Sequence, residues 1–130
     1  DCEVAPGGEA YVVVNGRDLM RVDAQWTAEA VAVGGGTLQP PARAITAIGL
    51  MLDDSGQPLL LVADQDGRRL VTSSPSGQVI ATTGLEHGVV ALQGGGDALA
   101  IVAEDGTVRL GAWSRLAGLT GVRGTGAPAP

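Results

Sequence analysis

Short apolar runs recur along this chain of 130 residues, and most of them end at a turn sequence that contains glycine, often with Asp, Asn or Ser. The chain contains 21 glycines, which are spread over its whole length. A glycine inside a helix costs about 1 kcal/mol relative to alanine, whereas tight turns favour glycine. The pattern therefore predicts an all-β chain of short strands joined by tight turns.

The first hairpin is predicted at Asn15-Gly16. Residues 10–14 form the run Ala-Tyr-Val-Val-Val directly before this dipeptide, which is the strongest short-range signal for a hairpin turn. Residues 18–23 form the returning strand. Residues 27–33 are a third candidate strand, with a helix over 24–33 as the competing interpretation. Residues 38–43 contain two consecutive prolines, which lack backbone N–H groups, and we expect a connector there.

Two later segments repeat one plan. Residues 44–83 contain four apolar or alternating runs separated by turn sequences, which predicts an antiparallel four-stranded meander. Residues 88–113 contain three such runs in the same order. The corresponding turn glycines, Gly67 and Gly106, are 39 residues apart. A period near 40 with four strands in each unit is typical of β-propeller blades.

We therefore predict a partial β-propeller of about three blades. The predicted divisions are a flexible N-terminus (1–9), a partial first blade (10–36), a second blade (44–84), a third blade (87–123) and a disordered tail (124–130). Closed propellers usually contain four to eight blades, so the chain is a fragment of a larger propeller or completes one with other chains. A small β-sandwich or barrel is the alternative, because its turns recur at a similar spacing.

One segment carries a family resemblance. Residues 86–92, Glu-His-Gly-Val-Val-Ala-Leu, precede an apolar strand at 98–103 and the sequence Asp-Gly-Thr-Val-Arg-Leu at 105–110. This pattern resembles a blade of the WD-repeat β-propeller family, over roughly residues 44–113. The resemblance implies that His87 and Asp105 belong to a hydrogen-bonded network that staples the blade. It also implies, by analogy, a protein-binding platform.

The same segment departs from the WD-repeat pattern at two points. The family's Trp-Asp dipeptide should directly follow Leu110, but Gly111-Ala112 intervene before Trp113, and Ser114 stands where the aspartate should be. No serine lies in the second strand, at 98–103, to complete the network. These departures make the pattern more specific for propeller architecture than for this family.

The charge balance argues against two classes of partner. The formal net charge is −6, and the eight basic residues are all arginine. Nucleic-acid binding depends on clustered cations that displace counterions from phosphates, so we expect no nucleic-acid partner. No apolar run approaches the 18 or so residues that cross a bilayer, so we also expect no membrane span.

The sequence offers little for catalysis, metal binding or cofactor binding. Any Ser-His-Asp arrangement would have to use His87, the single histidine, and the nucleophile motif Gly-x-Ser-x-Gly is missing. Residues 64–67, Asp-Gln-Asp-Gly, resemble the start of a calcium loop, but the later acidic ligand is missing and a tight turn selects the same residues. We therefore predict no catalytic residue, no metal site and no cofactor.

The function predicted from the sequence is a non-catalytic module for protein interaction or assembly. It would complete its fold by oligomerisation or with a partner chain, either a copy of itself or a different protein. The alternative is a ligand-binding propeller segment for a glycan or peptide, either lectin-like or accessory to an enzyme. In that case Trp26 and Trp113 are the candidate binding platform, although most tryptophans in proteins fill the core.

Overall fold

The computed structural model describes residues 2–5, 8–33, 38, 41–53, 55–96, 98–112 and 121–122. These residues form twelve β-strands: β1 (Cys2–Val4), β2 (Ala10–Val14), β3 (Asp18–Val22), β4 (Ala28–Ala30), β5 (Ala47–Leu52), β6 (Pro58–Asp64), β7 (Arg69–Ser73), β8 (Val79–Leu85), β9 (Val89–Gly95), β10 (Ala98–Ala103), β11 (Val108–Ala112) and β12 (Gly121–Val122). No helix in these ranges is long and apolar enough to cross a membrane. The all-β prediction is confirmed.

The strands form three sheets in chain order. The first sheet contains β1 to β4, the second contains β5 to β8, and the third contains β9 to β11. Within each sheet, consecutive strands pair antiparallel, as the meander prediction requires. The short strand β12 adds to β8 in parallel and gives the second sheet a fifth strand.

The structure differs from the sequence prediction at both ends of the chain. Residues 2–4 were expected in a flexible N-terminus, but they form β1 and pair antiparallel with β2, so the first sheet has four strands. Gly8 permits this hairpin because it adopts a φ of 94° in the β1–β2 turn. Residues 121–122 were expected in the third blade, but they pair with β8, an outer strand whose backbone groups can accept another strand.

Strand boundaries differ from the prediction mainly where glycine and alanine are frequent. The third candidate strand, predicted over 27–33, is limited to β4 at Ala28–Ala30, and the competing helix does not form. Strand β9 continues through Gly94 and Gly95, where a turn was expected. Alanine and glycine have weak strand preferences, so neighbouring strands set these boundaries more than local sequence does.

Strands β5 to β7 of the second sheet are covered on both faces. One apolar cluster joins it to the first sheet and contains Tyr11, Leu19, Ile48, Leu60, Val62 and Val71. Another joins it to the third sheet and contains Ala47, Leu59, Leu61, Leu70, Leu92, Leu99 and Ile101. Burial on both faces explains why β5 and β6 have continuous apolar sequences, whereas a half-exposed strand alternates.

Backbone hydrogen bonds recur where neighbouring sheets meet. The N–H of Ile45, just before β5, donates to the carbonyl of Gly16 in the β2–β3 turn, at 2.6 Å. The N–H of Val89, which begins β9, donates to the carbonyl of Gly67 in the β6–β7 turn, at 2.9 Å. In both cases the turn between the second and third strands of a sheet contacts the start of the next sheet. A Cβ atom on residue 67 would overlap the backbone of Val89, which explains the glycine.

Candidate binding surfaces

The two residues of the predicted blade staple meet where the second and third sheets join. His87 lies just before β9, and Asp105 lies in the β10–β11 turn. The Nε2 atom of His87 is 3.5 Å from Oδ2 of Asp105. The other carboxylate oxygen accepts hydrogen bonds from the hydroxyl and the N–H of Thr107, at 2.6 and 3.0 Å. These bonds and the neighbouring His87 hold the pKa of Asp105 below its ordinary value.

Arg68 connects the segments around this histidine. Its guanidinium donates to the carbonyl of Glu86 at 2.7 Å and to the carboxylate of Glu104 at 3.1 Å. The N–H of Glu104 donates to the carbonyl of Gly88 at 2.7 Å. Arg68 therefore links the β6–β7 turn of the second sheet to the residue before His87 and to the β10–β11 turn of the third sheet.

Asp64 and Arg69 form a buried ion pair at the β6–β7 hairpin. The guanidinium of Arg69 donates to both oxygens of Asp64, at 2.8 and 2.6 Å, and the backbone N–H of Arg43 lies 3.3 Å from the same carboxylate. Asp64 is fully buried. Both oxygens of its carboxylate therefore bind Arg69. Residues 64–67, which resemble the start of a calcium loop in sequence, are this ion-paired aspartate followed by the residues of a tight turn.

Trp26 occupies an unusual position in a turn. Five hairpin turns, at 5–9, 23–27, 53–57, 74–78 and 103–107, share the same pair of backbone hydrogen bonds between their first, fourth and fifth residues. The fourth residue has positive φ in all five turns; it is glycine in four of them and Trp26, with φ of 65°, in the other. This conformation costs a non-glycine residue about 1–2 kcal/mol. The indole is 87% exposed, so burial does not compensate for that cost.

A polar cleft lies beside this turn. It has a volume of about 410 Å³ and is lined by Glu9, Arg21, Asp23, Thr27 and Glu29. Arg21 forms an ion pair with Glu29, and an oxygen of Asp23 accepts the N–H of Thr27 at 2.9 Å. The cleft therefore offers charged and hydroxyl groups directly next to an exposed aromatic residue. Among the described residues, no group of three or more His, Cys, Asp or Glu has the arrangement of a metal site.

The first and third sheets each expose an apolar face. Residues that pair with one another across strands share a face, so the face of the first sheet turned away from the second contains Val4, Ala10, Val12, Val14, Met20, Val22, Ala28 and Ala30. We call it the first outer face. The corresponding third outer face contains Ala91, Ala98, Ala100, Val102, Val108 and Leu110. Val4 is 67% exposed and Leu110 is 50% exposed.

Sequence reasoning singled out Trp26, His87 and Asp105 but missed the buried ion pair and the two outer faces. An alignment of the five turns would have shown Trp26 in a position that otherwise holds glycine. The outer faces have no comparable local signal, because the buried second sheet is equally apolar. Trp113, the other half of the predicted binding platform, and the predicted tail at 124–130 lie outside the described residues.

No protein-family model and no curated protein match this chain. Its fold is similar to the selenomethionine form of virginiamycin B lyase from Staphylococcus aureus, a β-propeller, with a TM-score of 0.51 and 12% identity over 85% of this chain and 40% of the lyase. A catalytically inactive variant of that lyase with quinupristin gives 0.51 and 14% identity, over 84% of this chain and 39% of the lyase. The chain thus spans about 40% of the length of these structures.

At this low identity the similarity establishes the fold and not an activity. The three sheets are blades of a partial β-propeller, which confirms the predicted fold class. The alternative, a small sandwich or barrel, does not describe three successive sheets that each pack against the next.

Proposed function

We propose that this chain is a non-catalytic assembly module that supplies three propeller blades and is completed by further blades from another chain. One observation carries the proposal. Strands β5 to β7 of the second sheet, which has a neighbour on each side, are buried on both faces, whereas the first and third sheets each turn an apolar face to solvent. Contiguous apolar surface of this kind marks an interaction site, because its transfer from water is favourable.

The recurring joint between sheets supports the proposal, because it provides a geometry by which a further blade could attach. Gly16 and Gly67 lie in the turns between the second and third strands of their sheets and accept an N–H from the start of the next sheet. Gly106 lies in the corresponding turn of the third sheet. A Cβ atom on Gly106 would meet no described atom within 4 Å, whereas one on Gly67 would overlap Val89. The space beside Gly106 is where the first strand of a following blade would lie.

Light scattering coupled to size-exclusion chromatography tests the assembly proposal. Association is expected to give a mass that is a multiple of the 13.0 kDa chain mass and that increases with concentration. Far-UV circular dichroism establishes that the sample is folded. A folded chain that stays at 13.0 kDa across the accessible concentration range contradicts the proposal.

The absence of catalysis is a separate part of the proposal, because the structurally similar lyases are enzymes. The surroundings of His87 support it, since this single histidine lies 3.5 Å from Asp105, whose other carboxylate oxygen accepts hydrogen bonds from Thr107. Incubation of the chain with quinupristin, followed by mass spectrometry, is expected to leave the compound unchanged. Turnover above that of a heat-denatured sample would show that the chain is an enzyme.

We assign to His87 and Asp105 the stapling role that the WD-repeat resemblance implies. The 3.5 Å separation of their side chains supports this role, although the rest of the WD-repeat signature is missing. Substitution of either residue by alanine is expected to lower the melting temperature, and the double variant should lose less than the sum of the two single losses. Additive losses would mean that the two side chains do not act together.

A second candidate function, binding of a glycan or peptide, is favoured by Trp26. The exposed indole and the adjacent polar cleft together provide a surface for stacking and groups for hydrogen bonding. Tryptophan fluorescence should change when a glycan or peptide of a panel binds, and Trp26→Gly should abolish the change. The matched variant Trp113→Phe should retain it. An unchanged response in Trp26→Gly would exclude Trp26 as the platform.

A further inference from the structure

We propose that the chain assembles head to tail with a second copy of itself, the first outer face of each copy packing on the third outer face of the other. The inference rests on the proposed assembly function and names its partner. It follows from the direction in which the three sheets already stack.

The two outer faces are the two halves of a contact that the chain makes twice within itself. In the second sheet, Leu60, Val62 and Val71 face the preceding sheet, and Leu59, Leu61 and Leu70 face the following sheet. The first outer face is the side of the first sheet that would face a preceding sheet. The third outer face is the side of the third sheet that would face a following one. One face of each kind is therefore available on every copy.

Register supports this correspondence at the level of single residues. In each sheet, the second strand ends at a residue that is paired with the third strand. This residue is Val14 in the first sheet and Asp64 in the second. Val12 and Val62 each lie two residues before it, so they are equivalent positions of the two blades. Val62 is buried against the first sheet, so Val12 is expected to be buried in the same way against a preceding blade.

The charge on the two faces permits close contact. The eight residues of the first outer face and the six of the third are all apolar, although the chain as a whole has a net charge of −6. Three other described side chains share these faces by register: the thiol of Cys2 and the carboxylate of Asp18, at the ends of β1 and β3, and the amide of Gln93, within β9. Two copies can therefore approach without burying an unpaired charge at the centre of either face.

The blade count favours a second copy as the occupant. Three blades from each of two copies make six, which is within the usual range of four to eight for a closed propeller. The chain spans about 40% of the length of a complete propeller lyase, so two copies supply a similar amount of chain. A contact between two identical faces would cover one face of each copy and leave the other exposed, whereas head-to-tail contact covers both.

A pair of charge variants tests the direction of the contact. Val12→Glu blocks the first outer face and Leu110→Glu blocks the third, while each leaves the opposite face intact. Leu110 is 50% exposed and Val12 is partly exposed, and neither belongs to the apolar clusters between the sheets, so the variants should keep the circular dichroism of the wild type. Ile80→Glu is the matched control, because Ile80 is also 50% exposed but lies in β8 of the second sheet.

Head-to-tail assembly predicts a specific pattern in light scattering. The wild type and Ile80→Glu should give twice the chain mass, and each face variant alone should weaken association at least about tenfold. An equimolar mixture of Val12→Glu and Leu110→Glu should associate again, because one copy contributes an unaltered first face and the other an unaltered third face.

The outcomes that overturn the inference differ from those that overturn the assembly function. A wild-type chain that remains a folded monomer excludes both, and it leaves further blades of a longer polypeptide as the cover for the two faces. An oligomer that only one of the two face variants disrupts, or that the mixture fails to restore, excludes head-to-tail contact while the assembly function stands.

Discussion

Asp64 is the charged residue that lies deepest in the described core, and its two-point contact with Arg69 makes the β6–β7 hairpin sensitive to one substitution. Asp64→Asn would leave the guanidinium without its countercharge in a buried site. We expect a loss of about 3–5 kcal/mol in the free energy of unfolding, measured by urea denaturation. Asp66→Asn is the control, because Asp66 lies in the same turn but is exposed. Equal losses in the two variants would show that the ion pair contributes little.

Trp26 predicts a change in the opposite direction. Because Trp26 has a left-handed backbone, Trp26→Gly should raise the free energy of unfolding by about 1 kcal/mol. Trp26→Ala removes the same indole but keeps the unfavourable conformation, so it should leave stability close to that of the wild type. Urea denaturation of the three proteins separates backbone strain from loss of the side chain. Equal stability of the glycine and alanine variants would mean that the turn is not strained.

At the scale of strands, the contact between β5 and β9 depends on a glycine that has no role in a turn. A Cβ atom on Gly94 would overlap the carbonyl group of Leu50, whereas one on the adjacent Gly95 would meet no described atom within 4 Å. Gly94→Ala should therefore destabilise the protein by about 3 kcal/mol, and Gly95→Ala should have little effect. Hydrogen exchange in β9 and β10 would report the separation of the third sheet. Similar protection in the two variants would contradict this close packing.

Two aspartates in hairpin turns, Asp53 and Asp105, are expected to make the stability of the fold depend on pH. Hydrogen bonds from Ser55 and Gln57 lower the pKa of Asp53 below its ordinary value of 3.8, and those from Thr107 lower the pKa of Asp105. The folded state then binds fewer protons than the unfolded state. This contribution to stability is complete above the ordinary pKa and is lost as pH falls through the lowered one.

Thermal unfolding between about pH 5 and pH 2 measures this effect. The melting temperature of the wild type should fall with pH, and the double variant Asp53→Asn with Asp105→Asn should show a weaker dependence. The Gly95→Ala variant, which changes no titratable group, should follow the wild type. A double variant with an unchanged pH profile would show that other groups carry the acid sensitivity.

Strand order could be predicted from sequence because each turn has its own local chemistry. Asn15-Gly16 identified the β2–β3 hairpin, and the spacing of Gly67 and Gly106 identified the repeat. The short strand β1 was missed because the sequence around it is dominated by glycine and proline. The β6–β7 ion pair was missed because the sequence of a turn does not distinguish an aspartate exposed to solvent from one that is paired with an arginine.

For the molecule as a whole, the sequence indicated a stack of about three blades, and the structure supplied the orientation of their faces. Which face of a sheet is covered depends on packing between residues far apart in the chain, such as Tyr11 with the second sheet or Leu92 with Met51 in one cluster. The apolar content of a sheet does not show whether the sheet has a neighbour on both faces or on one. The two outer faces are therefore defined by the packing of the three sheets and not by local sequence.

The two outer faces also determine how growth of an assembly would end. Each new head-to-tail contact covers one first outer face and one third outer face, and the added copy brings one of each. An open row of copies therefore always has one uncovered first face and one uncovered third face, until its two ends meet. Six blades close into a ring only if each blade turns by about 60° from the last. With a different turn the same contact would continue as an open filament, whose length increases with protein concentration. The rotation between neighbouring sheets thus decides between a closed particle and a polymer.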